Sequence, residues 1–179
     1  MNKKIKKLQA FMQSNNIDLI YQDDPNSVAY FTNFQTNPHE RIVAHIVSQK
    51  NHFLFVPKLE LEEAKKQSGL DNIYSYTDNE KPWLKIQERT EEIANKTSLV
   101  GIDEKTVTVD RYHSLQKYLA PKKFININSF LNEMRLIKTE DEIEKMLLAG
   151  KLADEALDIG RNLLVEGLTE QEVAAKTDM

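Results

Sequence analysis

Short apolar runs rich in β-branched and aromatic residues alternate along this sequence with amphipathic helical patterns, and this alternation constrains the fold most strongly. Six such runs occur, at 17–21, 42–47, 52–56, 72–76, 98–102 and 124–127. A helical pattern separates all of them except the second from the third. Strands that alternate with helices pair in parallel, because the crossover helix returns the chain to the same end of the sheet. The sequence therefore predicts an α/β domain.

The exception is a predicted β-hairpin. Residues 42–47 and 52–56 are separated only by Ser48-Gln49-Lys50-Asn51, which are polar and suited to a turn. The fold class is thus α/β, with a mixed β-sheet that contains one hairpin and helices on both faces. We expect this domain to span residues 1–130, with residues 128–138 as the connector that follows it.

A long amphipathic helix is predicted after the connector. Thr139 and Glu142 have the capping-box spacing, in which each side chain binds the other residue's backbone N–H. The helical pattern continues to Glu166, and Gly167 suits a left-handed C-cap. Thr169 opens a second capping-box pattern near the last residue. The apolar stripe of the long helix needs a surface to cover it, so we expect residues 131–179 to be a linker and the first helices of a second domain.

Charge and composition argue against several classes of protein. The 24 basic and 28 acidic residues give a net charge of −4, which is not typical of a nucleic-acid-binding protein. The absence of cysteine excludes disulfides, thiolate metal ligands and a cysteine nucleophile. No apolar stretch has membrane-spanning length, and the lysine-rich start is not followed by the apolar segment of a secretory signal. We expect a cytoplasmic protein without nucleic-acid or membrane partners.

The common nucleotide-binding and hydrolase motifs are not found. The five glycines are not clustered, so the sequence has no dinucleotide-binding turn and no phosphate-binding loop. A nucleophile elbow, G-x-S-x-G, is also not found. These motifs therefore provide no candidate catalytic residue.

The four histidines do not predict a metal site. With a hairpin turn centred on Lys50-Asn51, His45 would face Val56 and lie away from His52. We interpret His45 as a residue at the edge of the core and His52 as a surface residue. His113 lies in a polar stretch of a predicted helix, so we expect it to be exposed to solvent.

One loop combines three chemically useful side chains. His39, Glu40 and Arg41 are adjacent within the loop predicted at 33–41. Loops carry binding residues more often than regular elements do. Arginine offers a planar fork to a carboxylate, and histidine changes charge near neutral pH. These residues are the candidate site, and a solvated polar loop with a local Glu40–Arg41 ion pair is the alternative.

Three segments resemble motifs of the creatinase, prolidase and aminopeptidase P family. Residues 26–34, N-S-V-A-Y-F-T-N-F, are similar to the family's N-x-x-Y-[LF]-[ST]-[GN]-F. Residues 135–143, R-L-I-K-T-E-D-E-I, resemble R-x-I-K-[ST]-x-x-E-I, and residues 167–170, G-L-T-E, resemble G-[LM]-[ST]-E. The resemblance covers the whole chain and is strongest to Xaa-Pro dipeptidases.

The resemblance implies a two-domain enzyme. Residues 1–130 would be its non-catalytic N-terminal domain, and residues 131–179 would open a catalytic domain of the pita-bread fold. That domain would hold two divalent metals, manganese or cobalt, on ligands beyond residue 179. This chain would then be inactive alone and contain no catalytic residue and no metal ligand. Asp154, Glu155 and Asp158 fit a solvent-facing helical edge rather than a metal site.

The resemblance also implies a homodimer in which the N-terminal domain contributes to substrate access. Loop 34–41 would line the partner subunit's cleft, where Arg41 could hold the free carboxylate of a proline-containing dipeptide in a bidentate pair. The parent enzyme would hydrolyse the bond before proline with a metal-activated hydroxide. Two alternatives remain: a peptide- or protein-binding module of a non-catalytic relative, and the N-terminal domain of a creatinase-like amidinohydrolase.

Overall fold

A computed structural model describes residues 3–94 and 97–177. The chain divides into two compact units, Met1–Met134 and Arg135–Met179. The first contains a β-sheet with its helices, and the second contains two helices. Within the described residues, none of the helices combines the length and apolar character needed to cross a membrane.

The first unit is built on one mixed β-sheet of six strands in the order β4-β3-β2-β1-β5-β6. The strands are β1 (Leu19–Gln22), β2 (Ala44–Ser48), β3 (His52–Pro57), β4 (Ile73–Tyr76), β5 (Leu99–Ile102) and β6 (Lys123–Asn126). The β1–β2 and β2–β3 pairs are antiparallel, and the other three pairs are parallel. The predicted mixed sheet with one hairpin is confirmed.

Helices cover both faces of this sheet, as predicted. They are α1 (Lys3–Ser14), α2 (Pro25–Thr32), α3 (Leu61–Ser68), α4 (Pro82–Ile93), α5 (Val109–Leu119) and α6 (Asn128–Leu136), with a 3-10 turn at Lys58–Glu60. Strand residues alternate between the faces. Tyr21 packs with α4 and α5 on one face, whereas Ile20 packs with α1, α2 and α6 on the other. Both faces are therefore buried, which explains strands that are apolar at almost every position.

The connector predicted at 128–138 is mostly helical. Helix α6, Asn128–Leu136, occupies most of it. Ile127, Leu131 and Met134 are buried at helical spacing, which the surrounding polar residues obscured. Helix α5 begins at Val109, because Thr108 is its N-cap and the Thr108 side chain accepts a hydrogen bond from the Arg111 backbone N–H.

The second unit consists of α7 (Glu140–Leu163) and α8 (Glu170–Thr177). Both predicted capping boxes are present: Thr139 and Glu142 exchange hydrogen bonds of 2.8 and 3.3 Å, and Thr169 and Glu172 do the same. Helix α7 ends before the predicted Glu166, since Leu164 already has non-helical dihedral angles. Gly167 has the expected positive φ, +95°, but in the turn between the helices rather than at the C-cap.

We predict that the stretch after Glu133, which contains α7, is the least stable part of the isolated chain. None of the described residues of α7 is buried, and Leu157 is 71% exposed. A helix gains most of its stability from packing of its apolar face. The amides of α7 should therefore exchange with deuterium at least about tenfold faster than those of the central strands. Hydrogen-exchange mass spectrometry on a monomer verified by light scattering measures this, and equal protection of α7 and β2 would contradict it.

Candidate functional site

A crevice opens at the carboxyl ends of β1 and β5. These strands are neighbours and parallel. The chain leaves β1 for α2 on one face of the sheet and leaves β5 for α5 on the opposite face. Such a switch point is where open α/β sheets commonly bind ligands. The crevice has a volume of about 390 Å³ and is lined by residues from 23–25, 37–41 and 106–111.

The structure brings His39, Glu40 and Arg41 together on one turn at this crevice. The Arg41 N–H donates to the Pro38 carbonyl at 2.9 Å, which closes the turn. His39 has a φ of +51°, a left-handed conformation that is uncommon for residues other than glycine. The His39 and Glu40 side chains are exposed, and Arg41 is half-buried. The turn therefore holds all three candidate residues close to one another.

The ion pair expected between Glu40 and Arg41 is not the one that forms. Arg41 Nη2 instead lies 3.3 Å from Asp78 Oδ2, a carboxylate in the segment after β4. The sequence suggested Glu40 as the partner of Arg41 because the two residues are adjacent. Asp78 is distant in sequence and comes close to Arg41 because β4 pairs in parallel with β3. Asp78 is 73% exposed, and exposed ion pairs contribute at most about 1 kcal/mol. The Arg41 guanidinium can therefore exchange this partner at low cost.

Arg111, which the sequence patterns did not single out, fixes the turn. Its Nη2 donates to the carbonyl oxygens of Glu40 at 3.0 Å and Arg41 at 3.3 Å. Its Nε lies 3.4 Å from Asp23 Oδ2, and both side chains are mostly buried. The available sequence signal was an arginine in the first turn of the helix that follows β5.

The carboxylate that holds Arg111 has its own buried support. Asp23 Oδ2 accepts the Tyr21 hydroxyl at 3.2 Å. Burial raises the pKa of Asp23, and the Arg111 guanidinium opposes this rise. Burial and the neighbouring Asp23 carboxylate raise the pKa of Tyr21 well above its ordinary value, so its hydroxyl stays protonated. These groups form a scaffold that binds backbone atoms at the crevice.

The interpretation of His45 and His52 is wrong. The turn is centred on Gln49-Lys50, between Ser48 and Asn51, so His45 pairs with Leu54 rather than Val56. This register places the two imidazoles diagonally on one face, with His45 Nε2 3.2 Å from His52 Nδ1. His45 is fully buried rather than at the core's edge, and His52 is partly buried rather than on the surface. The exposure predicted for His113 is confirmed.

Burial keeps the histidine pair neutral. It lowers the pKa of His45 to about 3 and also lowers the pKa of His52. His45 Nδ1 lies 3.3 Å from the amide oxygen of Gln22, which can only accept. With this amide orientation, both contacts are hydrogen bonds when His45 carries its proton on Nδ1 and His52 donates from Nδ1 to His45 Nε2.

The described residues do not fit a metal centre. Among them, no three histidine, cysteine, aspartate or glutamate side chains are grouped closely enough to hold a metal ion. His45 instead lies within hydrogen-bond distance of His52 and of the Gln22 amide oxygen. Asp158, one of the acidic residues of α7, pairs with Arg161 at 3.1 Å.

This chain is similar to prolidases and Xaa-Pro dipeptidases in both sequence and structure. The profile of the creatinase/prolidase N-terminal domain matches residues 4–137. An Xaa-Pro dipeptidase of Lactobacillus helveticus is 35% identical over 174 residues, which are 96% of this chain and 47% of that protein. The prolidase of Pyrococcus horikoshii aligns with a TM-score of 0.79 and 28% identity, over 98% of this chain and 47% of the prolidase. A proline dipeptidase of Streptococcus pneumoniae aligns with a TM-score of 0.71 and 29% identity, over 77% of this chain and 100% of the solved one. The chain spans about half the length of the curated relatives it matches.

Proposed function

We propose, because this chain belongs to the creatinase/prolidase N-terminal domain family, that it is the N-terminal part of an Xaa-Pro dipeptidase-like metallopeptidase. Residues 1–130 would be a non-catalytic domain, and residues 131–179 the linker and first helices of the catalytic domain. The observation that carries this proposal is the similarity to an Xaa-Pro dipeptidase, which continues through both units of the chain.

Substrate access is the role that the crevice favours for the first unit. Its turn presents an imidazole, a carboxylate and a guanidinium. The guanidinium of Arg41 pairs with Asp78, which is exposed, so this ion pair can be broken at low cost when a substrate binds. A dipeptide with proline at its second position ends in a free carboxylate, which an arginine fork binds in a charge-assisted pair. In this proposal a homodimer brings loop 34–41 of one subunit to the other subunit's catalytic cleft.

The metals of the proposed enzyme belong elsewhere in the protein. Two divalent ions, manganese or cobalt, are implied by the family, but the described residues do not fit such a centre. We therefore assign the ions to the half of the relatives' length that this chain does not span. A cytoplasmic location remains a prediction.

The test is hydrolysis by the full-length protein that contains this chain. The protein, reconstituted with Mn²⁺ or Co²⁺, should cleave Leu-Pro and leave the matched dipeptide Leu-Ala largely intact. The chain of residues 1–179 should cleave neither. Calorimetry on the full-length protein should also detect dipeptide binding.

Each rival function has its own result in this assay. Binding of the dipeptide without hydrolysis, together with loss of the downstream metal ligands that the family resemblance implies, would favour a peptide-binding module. Hydrolysis of creatine but not of Leu-Pro would favour a creatinase-like amidinohydrolase. Either outcome would contradict the proposed dipeptidase.

A further inference from the structure

We propose that Arg111 is the positioning residue for the substrate-access turn, residues 38–41. This inference rests on the proposed function, because it concerns how the turn is held in place for a substrate. Arg111 binds the turn only through backbone oxygens. It would therefore act on the substrate through the side chains that the turn presents.

The guanidinium of Arg111 joins three separate segments of the first unit. It extends from the first turn of α5, pairs with Asp23 after β1, and donates to two carbonyls of the turn. The segments are far apart in sequence, since Arg111 is 71 residues from Glu40. A single side chain thus sets the distance of the turn from the carboxyl ends of both central strands.

The contacts require arginine rather than any cation. A guanidinium directs its N–H groups along fixed directions in one plane, so one end can bind Asp23 while the other binds the turn. Its Cζ atom lies over the Trp83 ring, 5.8 Å from the ring centre. Lysine at this position keeps the charge that Asp23 needs but loses the fixed geometry. Replacing Arg111 with lysine therefore tests the positioning of the turn while the positive charge beside Asp23 is kept.

The turn leaves its side chains free for other tasks because Arg111 holds its main chain. The carbonyls of Glu40 and Arg41 point to Arg111, while the Arg41 side chain extends to Asp78. Two amides report on this arrangement directly. The Arg41 N–H closes the turn on Pro38, and the Ile42 N–H donates to the Tyr76 hydroxyl at 2.8 Å.

The experiment compares Arg111→Lys with Arg89→Lys in the full-length protein. Arg89 is the matched control, because it also lies over an aromatic ring and pairs with a carboxylate, but on the outer surface of α4. Hydrogen exchange of the segment 39–42 should be about tenfold faster in Arg111→Lys than in the wild type, as expected for losing one to two charge-assisted hydrogen bonds. Arg89→Lys should leave this segment unchanged. Unchanged exchange in Arg111→Lys would overturn the inference.

A second variant, Asp23→Asn, tests the same inference in case Arg111→Lys folds poorly. Asp23→Asn keeps the size of the side chain and removes the charge that orients the guanidinium. It should accelerate exchange of the same segment, though less than Arg111→Lys does. An acceleration spread evenly over the whole sheet in both variants would indicate general destabilisation and overturn the inference.

Kinetics on Leu-Pro separate this inference from the proposed function. Arg111→Lys should raise KM about tenfold and change kcat less than about threefold, because the turn binds substrate rather than reacting with it. In an Arg41→Ala background the same substitution should have little further effect, since residues that act through one another are not additive. Fully additive losses would overturn a role through Arg41. Faster exchange with unchanged KM would support positioning by Arg111 and contradict the substrate-access role of the turn.

Discussion

The unfolding free energy of the first unit should fall by about 2–3 kcal/mol between about pH 7 and about pH 4.5 because of His45 alone. Burial lowers the pKa of His45 from 6.5 to about 3 in the folded chain. Below about pH 6.5, His45 therefore binds a proton in the unfolded chain but stays neutral in the folded chain. Stability is fully present above that pH and is lost progressively as the pH falls towards 3. His52 acts in the same direction, because burial lowers its pKa as well.

The measurement is urea unfolding of residues 1–179, followed by the fluorescence of Trp83. This is the single tryptophan of the chain and packs in the core of the first unit, so it reports on that unit. His45→Gln should flatten the pH dependence over this range. His113→Gln is the matched control, because His113 is exposed and should leave the profile as in the wild type.

Other titratable groups also contribute to the pH dependence of the unfolding free energy. Comparing His45→Gln with the wild type isolates the contribution of His45. The raised pKa of Asp23 acts in the opposite sense, since the folded chain then binds a proton more readily than the unfolded one. This contribution is common to the wild type and both variants and cancels in the comparison. An equally steep acid loss in His45→Gln and in the wild type would contradict the prediction.

The fold class could be predicted from sequence because burial on both faces imposes a simple pattern on the strands. Runs such as 42–47 are apolar at successive positions, and the helices between them repeat every three to four residues. These two periods specify strand, helix and their order without any knowledge of contacts. The capping boxes at Thr139 and Thr169 are equally local, so both helix starts were predicted correctly.

The hairpin register could not be predicted, because the position of its turn was ambiguous. A turn centred on Lys50-Asn51 and one centred on Gln49-Lys50 differ by two residues in the pairing that they impose on His45. A shift of two residues preserves the face on which every side chain lies. The alternation of apolar residues therefore cannot distinguish the two registers, although only the second places His45 against His52.

The candidate site was predictable only in its chemistry. His39, Glu40 and Arg41 are adjacent in sequence, so their combination is visible as a string of residues. Their partners are not, because Arg111 and Asp78 reach the turn through the order of the strands rather than through proximity in sequence. Arg111 also binds backbone carbonyls, which every residue has. The side chains of the residues that it contacts therefore give no sequence signal for this contact.

Replacing Arg41 with alanine in the full-length protein should lower kcat/KM for Leu-Pro by roughly ten- to a hundredfold. In the proposed function Arg41 binds the substrate carboxylate, and one charge-assisted contact contributes about 1.5–3 kcal/mol. Folding should change little, because the side chain forms one exposed ion pair, while the backbone contacts to Arg111 are retained. Steady-state kinetics with thermal unfolding as a parallel measurement test both statements.

Three further variants make the interpretation specific. Arg89→Ala removes an exposed arginine of similar environment and should leave kcat/KM within about twofold of the wild type. Asp78→Ala releases Arg41 from its present partner and should not weaken Leu-Pro turnover. His39→Ala should reduce turnover less than Arg41→Ala does, because the proposed carboxylate clamp depends on the guanidinium. Unchanged kinetics in Arg41→Ala, with the oligomer intact by light scattering, would reject the carboxylate clamp and leave the turn as a solvated polar loop.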